Sequence, residues 1–521
     1  MLLKERNYHQ RGETIMTQGM LPFKYEKEKQ QGAMTAFGGL PIYLDLAQVL
    51  GLYNSIEQHI KVRKGDQGWT DSQILISLIL LNISGGDCVE DLNRLESDEG
   101  LCKILDRVQR QDMRRPERRA LARRWRKERQ RSVPSPSSVF RYLSAFHDPL
   151  QEKLREAGRA FIPVANEHLR GFSKVNRDFL RSFQKHHPQA TATLDMDATL
   201  VATNKLEALF CYKGYKSYQP INTFWAEQGL IVYTEFRDGN VPAGFEQLRV
   251  LKEALLCLPE GVEQVRLRSD TAGYQHDLLK YCALGENERF GKIEFAIGCD
   301  VTPEFKKAVG EICEGDWTPF TKEIEGKEMP TGKEWAEVCF VPNAIAHSKK
   351  LPAYRYIATR EIMREQLNLP GIIEDTEYPF PTLCVDKKKY KIFGIVTNMD
   401  WTGQDLITWL YKRCGKSEEA HHVMKADLAG GKLPSEDFGV NAAWWWIMIL
   451  SLNLNVALKT LVLGKAWISK RMKAIRFSLI HLPARVMERS RCLVVRVAKY
   501  GLIFEWLLEI REKIALLAPA V

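Results

Sequence analysis

Two aspartates stand where strand patterning could bring them together. From Thr191 to Leu200 the chain alternates strictly: Thr193, Asp195, Asp197 and Thr199 share one face, and Leu194, Met196 and Leu200 share the other. Asp270 ends the strand pattern Val265–Ser269 and precedes the turn Thr271-Ala272-Gly273. Taken alone, each Asp also reads as a turn or N-cap residue. On neighbouring strands of one sheet the two could approach closely. Like charges that close are costly unless a cation lies between them. Hard oxygen ligands without Cys or His suit Mg²⁺ or Mn²⁺.

A third carboxylate stands in the segment Tyr411 to Lys425. Tyr411, Glu418 and Lys425 are spaced seven apart. Seven residues drift by only about 20° on a helix, so this spacing predicts all three on one helix face. A phenol, a carboxylate and an ammonium in a row suit a phosphodiester: Glu for the metal, Tyr and Lys for flanking phosphates. Glu419 points about 100° away and is the structural alternative. The adjacent pairs His186-His187 and His421-His422 lack zinc-ligand spacing and read as surface or core histidines. There is no G-x-x-x-x-G-K-[ST], G-x-G-x-x-G or G-x-S-x-G, so no nucleotide cofactor or elbow-type Ser hydrolase is expected.

The elements that must hold these residues follow from pattern and charge. Residues 1–35 read as a loose polar tail. Residues 36–150 read as a helical DNA-binding domain, in which Thr70-Asp-Ser-Gln73 forms a capping box ahead of the apolar run Ile74–Ile83. Ser135-Pro136 opens a short helix with Val139, Leu143 and Phe146 on its apolar side and Ser138, Arg141 and Tyr142 on the others. That helix could read a DNA groove, or it could belong to a generic bundle. Strand and helix patterns alternate over 190–300, predicting a mixed α/β sheet. Residues 301–400 read as a β-rich insertion subdomain. The sheet domain resumes over 401–462, and 463–521 reads as a basic helical C-terminal region.

The chain has 521 residues, 45% hydrophobic and 27% charged, with formal net charge +10. From Lys103 to Ser132 thirteen Lys/Arg face four Asp/Glu, and from Lys465 to Lys513 twelve face four. Basic segments at both ends of a slightly acidic centre suit a polyanion partner. The longest apolar runs, Ile74–Leu81 and Ala442–Leu450, fall short of the ~20 residues of a spanning helix. Eleven scattered Cys with no C-x-x-C, and no secretory signal, suit a reducing cytoplasm.

Taken in order, Asp197-Ala-Thr199, Arg268-Ser-Asp270-Thr-Ala-Gly-Tyr274 and Tyr411-x6-Glu418-x6-Lys425 resemble DDE transposases of bacterial insertion sequences. More closely, they resemble the branch with a Y-R-E-K signature and a β-rich insertion before the catalytic Glu. Tyr212-Lys-Gly-Tyr-Lys-Ser-Tyr-Gln-Pro220, Thr397-Asn398, Asn441-Ala-Ala-Trp-Trp-Trp446 and Asn453 agree, so the similarity spans roughly 35–500. The chain departs from the signature at one place: Cys414 stands where the Arg is expected, three after Tyr411, with Arg413 beside it.

The resemblance implies an RNase H-like core flanked by all-α N- and C-terminal regions. It implies two divalent ions, Mg²⁺ or Mn²⁺, about 3.5–4 Å apart on Asp197, Asp270 and Glu418, for cleavage of element ends and joining of the 3′-OH to target DNA. The implied partners are the terminal inverted repeats, target DNA and a second subunit in a homodimer. Tyr411, Arg413 and Lys425 would touch DNA, with Arg114, Arg115, Arg118, Arg119, Arg123, Arg124 and Arg141 in the N-terminal domain. Related enzymes flip a base onto a Trp; Trp317, Trp335 and Trp401 are the candidates here. Trp444–Trp446 are expected in the core, and Asp195 and Glu419 are neighbours, not ligands. A DNA-binding relic without catalysis, or an RNase H-like nuclease that cuts without joining, are the alternatives.

Overall fold

The computed structural model describes residues 7–10, 13–16, 33–65, 67–111, 114–123, 131–324, 326–342, 354–363, 378–386, 388–490, 492–497 and 502–518. A ten-stranded mixed sheet organises the molecule. It starts from β1 (Thr191–Ala198), β2 (Ile221–Trp225) and β3 (Leu230–Glu235), an antiparallel meander. β4 (Gln264–Ser269) returns beside β1 and parallel to it, after the helix Gln247–Cys257. β5 (Glu294–Cys299) lies parallel to β4, after the helix His276–Leu284. The order of this part is therefore β3-β2-β1-β4-β5.

The strands within 301–400 extend the same sheet past β5. They are β6 (Thr318–Ile324), β7 (Lys327–Val338), β8 (Arg355–Ile362), β9 (Thr382–Val385) and β10 (Lys388–Thr397). β10 pairs antiparallel with β5, and β8, β7 and β6 follow outward, with β9 also on β10. Phe320 packs with Ile357, Ile395, Ala296 and Leu406 in a second, smaller core, so this segment shares apolar packing with β5.

Helices close both faces. α1 (Asp71–Ser84) begins with the expected capping box: Gln73 N donates to Thr70 Oγ1 and Thr70 N to Gln73 Oε1, each at 3.1 Å. α2 (Glu167–His186) carries Phe172, Val175, Phe179 and Phe183 inward. Its buried Asn176 donates to the carbonyls of Ile231 and Val232, 3.0 and 2.8 Å, and so satisfies part of the sheet's edge strand.

The flanking regions are not all-α. Ala484–Arg489 and Cys492–Val497 form a hairpin that Ala33–Thr35 joins as a third strand. The hairpin buries only Ala484 and Val486, while its remaining residues, several of them charged, stay at least partly exposed, so little apolar pattern marks it in the sequence. Two further strands, Asn7–Gln10 and Glu13–Met16, pair within the stretch read as tail. Tyr142 is buried rather than free, edge-on to Phe146 at 5.6 Å, while Arg141 is exposed. One continuous core runs from Leu40 to Ile514, joining the N-terminal helices to the C-terminal ones.

At its centre lies a helix longer than the apolar runs of the sequence suggested. Phe438–Leu463 is long and apolar enough to cross a membrane by length and composition, yet most of it is buried inside the protein. Asn453 there accepts from Ile231 N (3.0 Å) and donates to Ile231 O (2.9 Å) and Asn176 Oδ1 (2.8 Å). Trp444 and Trp445 are fully buried, their indole N–H groups bonded to Ala429 O and Thr234 Oγ1.

Candidate active site

Asp197 is the penultimate residue of β1, and Asp270 directly follows β4. The strands are adjacent and parallel, so both carboxylates reach the same edge, beyond the strands' C-terminal ends. Asp195, two residues earlier on the face of Asp197, is already paired. It takes a bidentate pair from Arg268, Nε to Oδ1 at 2.6 Å and Nη2 to Oδ2 at 2.8 Å, which locks β4 to β1. The third arm of Arg268 donates to Trp409 O at 2.6 Å, tying the sheet to the helix α3 (Gly403–Tyr411).

Asp270 Oδ1 accepts from Ala272 N at 3.1 Å, the N-cap role its sequence suggested. Burial raises its carboxyl above the usual pKa; the charge of Arg413 opposes that rise and the charge of Asp197 adds to it. Arg413 Nη1 stands 3.3 Å from Asp197 Oδ2. A single guanidinium thus serves both aspartates, the counter-charge their proximity requires.

The helix expected to run unbroken from Tyr411 to Lys425 is interrupted. α3 stops at Tyr411, a turn follows, Gly415 takes a left-handed φ of 85°, and α4 (Lys416–His422) starts afresh. A π-helical turn, Val423–Asp427, follows. Tyr411 therefore does not share a stripe with Glu418: it meets Phe320 edge-on at 5.9 Å, with Lys333 over its ring at 5.6 Å. Lys425 Nζ donates to Thr199 Oγ1 at 2.9 Å and to Leu200 O at 3.2 Å, beside the end of β1.

Glu418 is exposed on α4. The residue of that helix that meets Asp197 is His421, one turn on, with Nδ1 3.9 Å from Asp197 Oδ2. His421 is buried, and burial pushes its pKa down to about 4, against the pull of Asp197. Its Nε2 lies 3.4 Å from Asn222 Nδ2, on the strand position paired with Asp197. Asn222 Oδ1 accepts from Thr234 Oγ1, which accepts from Trp445 Nε1. A polar chain thus runs from the central helix to Asp197. Sequence reasoning assigned His421 to surface or core; no local signal could have placed it against a residue 224 positions earlier.

The two aspartates offer hard oxygen donors on one wall, with the guanidinium of Arg413 beside Asp197. That fits a divalent cation in part. Among the described residues no three His, Cys, Asp or Glu side chains converge on one point; Glu418 stands on α4 three residues before His421. Asp197 and Asp270 open on a cavity of about 610 Å³ bounded by the loops 210–212 and 239–243.

The remaining expected residues scatter. Arg114, Arg115, Arg118 and Arg119 are exposed around the start of the helix Arg115–Arg123. Arg123 closes that helix, and Arg124 lies outside the described residues. Trp317 is only 8% exposed and lies under the guanidinium of Arg360, 4.2 Å away. Trp335 fits against Gly403, where an added Cβ would come within 2.3 Å of its ring. Trp401 has Arg266 over its ring at 4.9 Å and Trp409 edge-on at 5.6 Å.

Two aspartates at the ends of adjacent parallel strands, with Arg413 beside one of them, define a carboxylate site. A family model described as "Transposase DDE domain group 1" matches residues 26–519, and the chain belongs to that transposase family. Among solved structures it is similar to one described as "Cryo-EM structure of piggyBac transposase synaptic complex with hairpin DNA (SNHP)". The identity is 9%, with 94% of this chain and 88% of that one covered, at a TM-score of 0.40. No curated protein sequence matches the chain.

Proposed function

We propose that the chain binds the terminal inverted repeats of an insertion sequence, cleaves the element ends and joins the freed 3′-OH to target DNA. The observation that carries this is the meeting of Asp197 and Asp270 at the ends of β1 and β4, under one compensating cation. The order β3-β2-β1-β4-β5, with three antiparallel and two further parallel strands, supports reading the core as RNase H-like. The motif order around Asp197, Asp270 and Glu418 supports the Y-R-E-K branch.

Two Mg²⁺ or Mn²⁺ ions on Asp197, Asp270 and Glu418 would supply Lewis-acid stabilisation of the attacking and leaving oxygens. The chain's own residues do the rest. Arg413 neutralises the aspartates before DNA and metal arrive. His421 stands behind Asp197, with Asn222 beside it. Lys425, held by Thr199 and Leu200, keeps an ammonium beside the end of β1 for a flanking phosphate. The exposed arginines around residues 114–119 attract the duplex. Two copies acting together on the element ends, in the cytoplasm, complete the proposal.

The test is a nicking and strand-transfer assay on the DNA flanking the coding region, with Mg²⁺, comparing the parent with Asp197→Asn. Asp197-dependent nicks and joined products support the whole reading. Nicks without joining make the chain a nuclease, and binding without either makes it an inactive relic.

A further inference from the structure

Between β1 and β2 the chain makes a loop that no role above requires. It is built rigidly. Arg155, in a bidentate pair with buried Asp238 (2.8 and 2.7 Å), also donates to Glu207 O at 2.8 Å. Glu436 accepts from Leu206 N at 2.7 Å, and Lys216 Nζ donates to Leu206 O at 2.6 Å. A tight turn closes the tip, Cys211 N to Tyr215 O and Gly214 N to Cys211 O, both 2.9 Å, with Gly214 at φ 79°.

This well-anchored loop turns its large rings outward. Phe210 is 61% exposed and Tyr212 77%. A fixed loop with no packing use for two aromatic side chains is displaying them. Lys213 Nζ lies 5.7 Å from the Tyr212 ring centre, and Lys216 Nζ 5.8 Å from that of Phe210. Both rings line the cavity onto which Asp197 and Asp270 open.

We infer that Phe210 and Tyr212 form a stacking platform for unpaired bases of the strand whose phosphodiester enters the carboxylate site. This rests on the transposase reading of Asp197 and Asp270, and places base stacking on a different loop from the three tryptophans. Every base has a π-face, so exposed rings recognise single strands without reading sequence, and adjacent lysines add phosphate attraction. Trp317 and Trp401 lie closer under arginines, at 4.2 and 4.9 Å, and Trp335 is packed against Gly403; Phe210 and Tyr212, each with one lysine ammonium nearby, remain largely exposed on the wall of the cavity.

The experiment uses the full chain and two DNAs: a blunt duplex, and the same duplex with a short single-stranded flap whose first unpaired base is 2-aminopurine. Affinity is read by titration and stacking by fluorescence quenching, with circular dichroism as the folding control. The double variant Phe210→Ala/Tyr212→Ala is expected to lose roughly ten- to a hundredfold in affinity for flapped DNA and to lose the quenching, with blunt-duplex affinity unchanged. Phe210→Tyr/Tyr212→Phe is expected to retain both. Lys213→Gln/Lys216→Gln is expected to flatten the salt dependence for flapped DNA, by about 0.7 in log–log slope for each phosphate no longer neutralised. Equal losses on both DNAs, no loss on either, or quenching that survives the alanine variant would overturn the platform; so would a loop that proves to bind a protein and not DNA. The binding measurement needs no chemistry. Absence of Asp197-dependent nicking would therefore count against the transposase reading alone.

Discussion

Arg413 Nη1 lies 3.3 Å from Asp197 Oδ2, and the same charge opposes the burial-driven rise in the pKa of Asp270. The cation beside Asp197 is thus a side chain of the protein, supplied from the turn between α3 and Gly415. It stands beside Cys414, the position where the signature's Arg was expected, and it pairs with an aspartate.

Removing that cation should leave two nearby carboxylates unbalanced. Arg413→Ala is expected to lower stability without divalent ions by about 1–2 kcal/mol, since the pair is only partly shielded from solvent. Added Mg²⁺ should then raise the variant's Tm more than the parent's. Thermal melts across a Mg²⁺ titration decide it: equal shifts would mean that Arg413 and the metal do not compete for one place.

Catalysis should fail as a unit. Asp197→Asn, Asp270→Asn and Glu418→Gln are each expected to reduce nicking to background while duplex binding persists, and Glu419→Gln to cut near the parent rate. Glu418 sits exposed one turn before His421, on the side of α4 that meets Asp197, whereas the charge of Glu419 acts on Lys459. An active Glu418→Gln protein would remove that residue from the ligand set.

Binding to duplex DNA should depend steeply on salt. Replacing Arg114, Arg115, Arg118 and Arg119 together with Gln is expected to weaken binding and to flatten log K against log salt by about 0.9 for each phosphate no longer neutralised. A titration with unchanged slope would show that these side chains do not touch phosphates.

Asn453 closes a buried network on the edge strand β3. Asn453→Leu strands the N–H of Ile231 and Asn176 Oδ1, for a cost of about 2–3 kcal/mol in urea unfolding. A destabilisation under about half a kcal/mol would mean that water or a neighbour replaces the amide.

The tryptophans of the sheet extension should separate by packing. Trp317→Ala is expected to destabilise by about 3–5 kcal/mol, because its ring is buried beneath the guanidinium of Arg360. Trp335→Ala and Trp401→Ala should cost less, since both residues are only partly buried. Nicking by the refolded proteins, set against their melting curves, distinguishes impaired folding from impaired base stacking.

Local pattern carried a good part of this molecule. The alternation of Thr191–Leu200 is β1, the Thr70–Gln73 box opens α1, and Asp270 caps its turn, because each depends on residues a few positions apart. Helical spacing misled where the helix broke: seven-residue steps from Tyr411 meant one face only if the helix continued, but α3 stops at Tyr411 and α4 starts afresh after Gly415.

Partnership across the chain was beyond reach of the sequence by itself. Nothing local says that Arg413 answers Asp197, that His421 backs it, that Tyr142 turns inward, or that Ala33–Thr35 pairs with a hairpin beginning at Ala484. Residue type and period set which side chains could ionise, stack or bury. Only the packing of strand on strand and helix on sheet determined which charge faced which, since like and unlike groups far apart in sequence acquire a distance only once the backbone between them has folded.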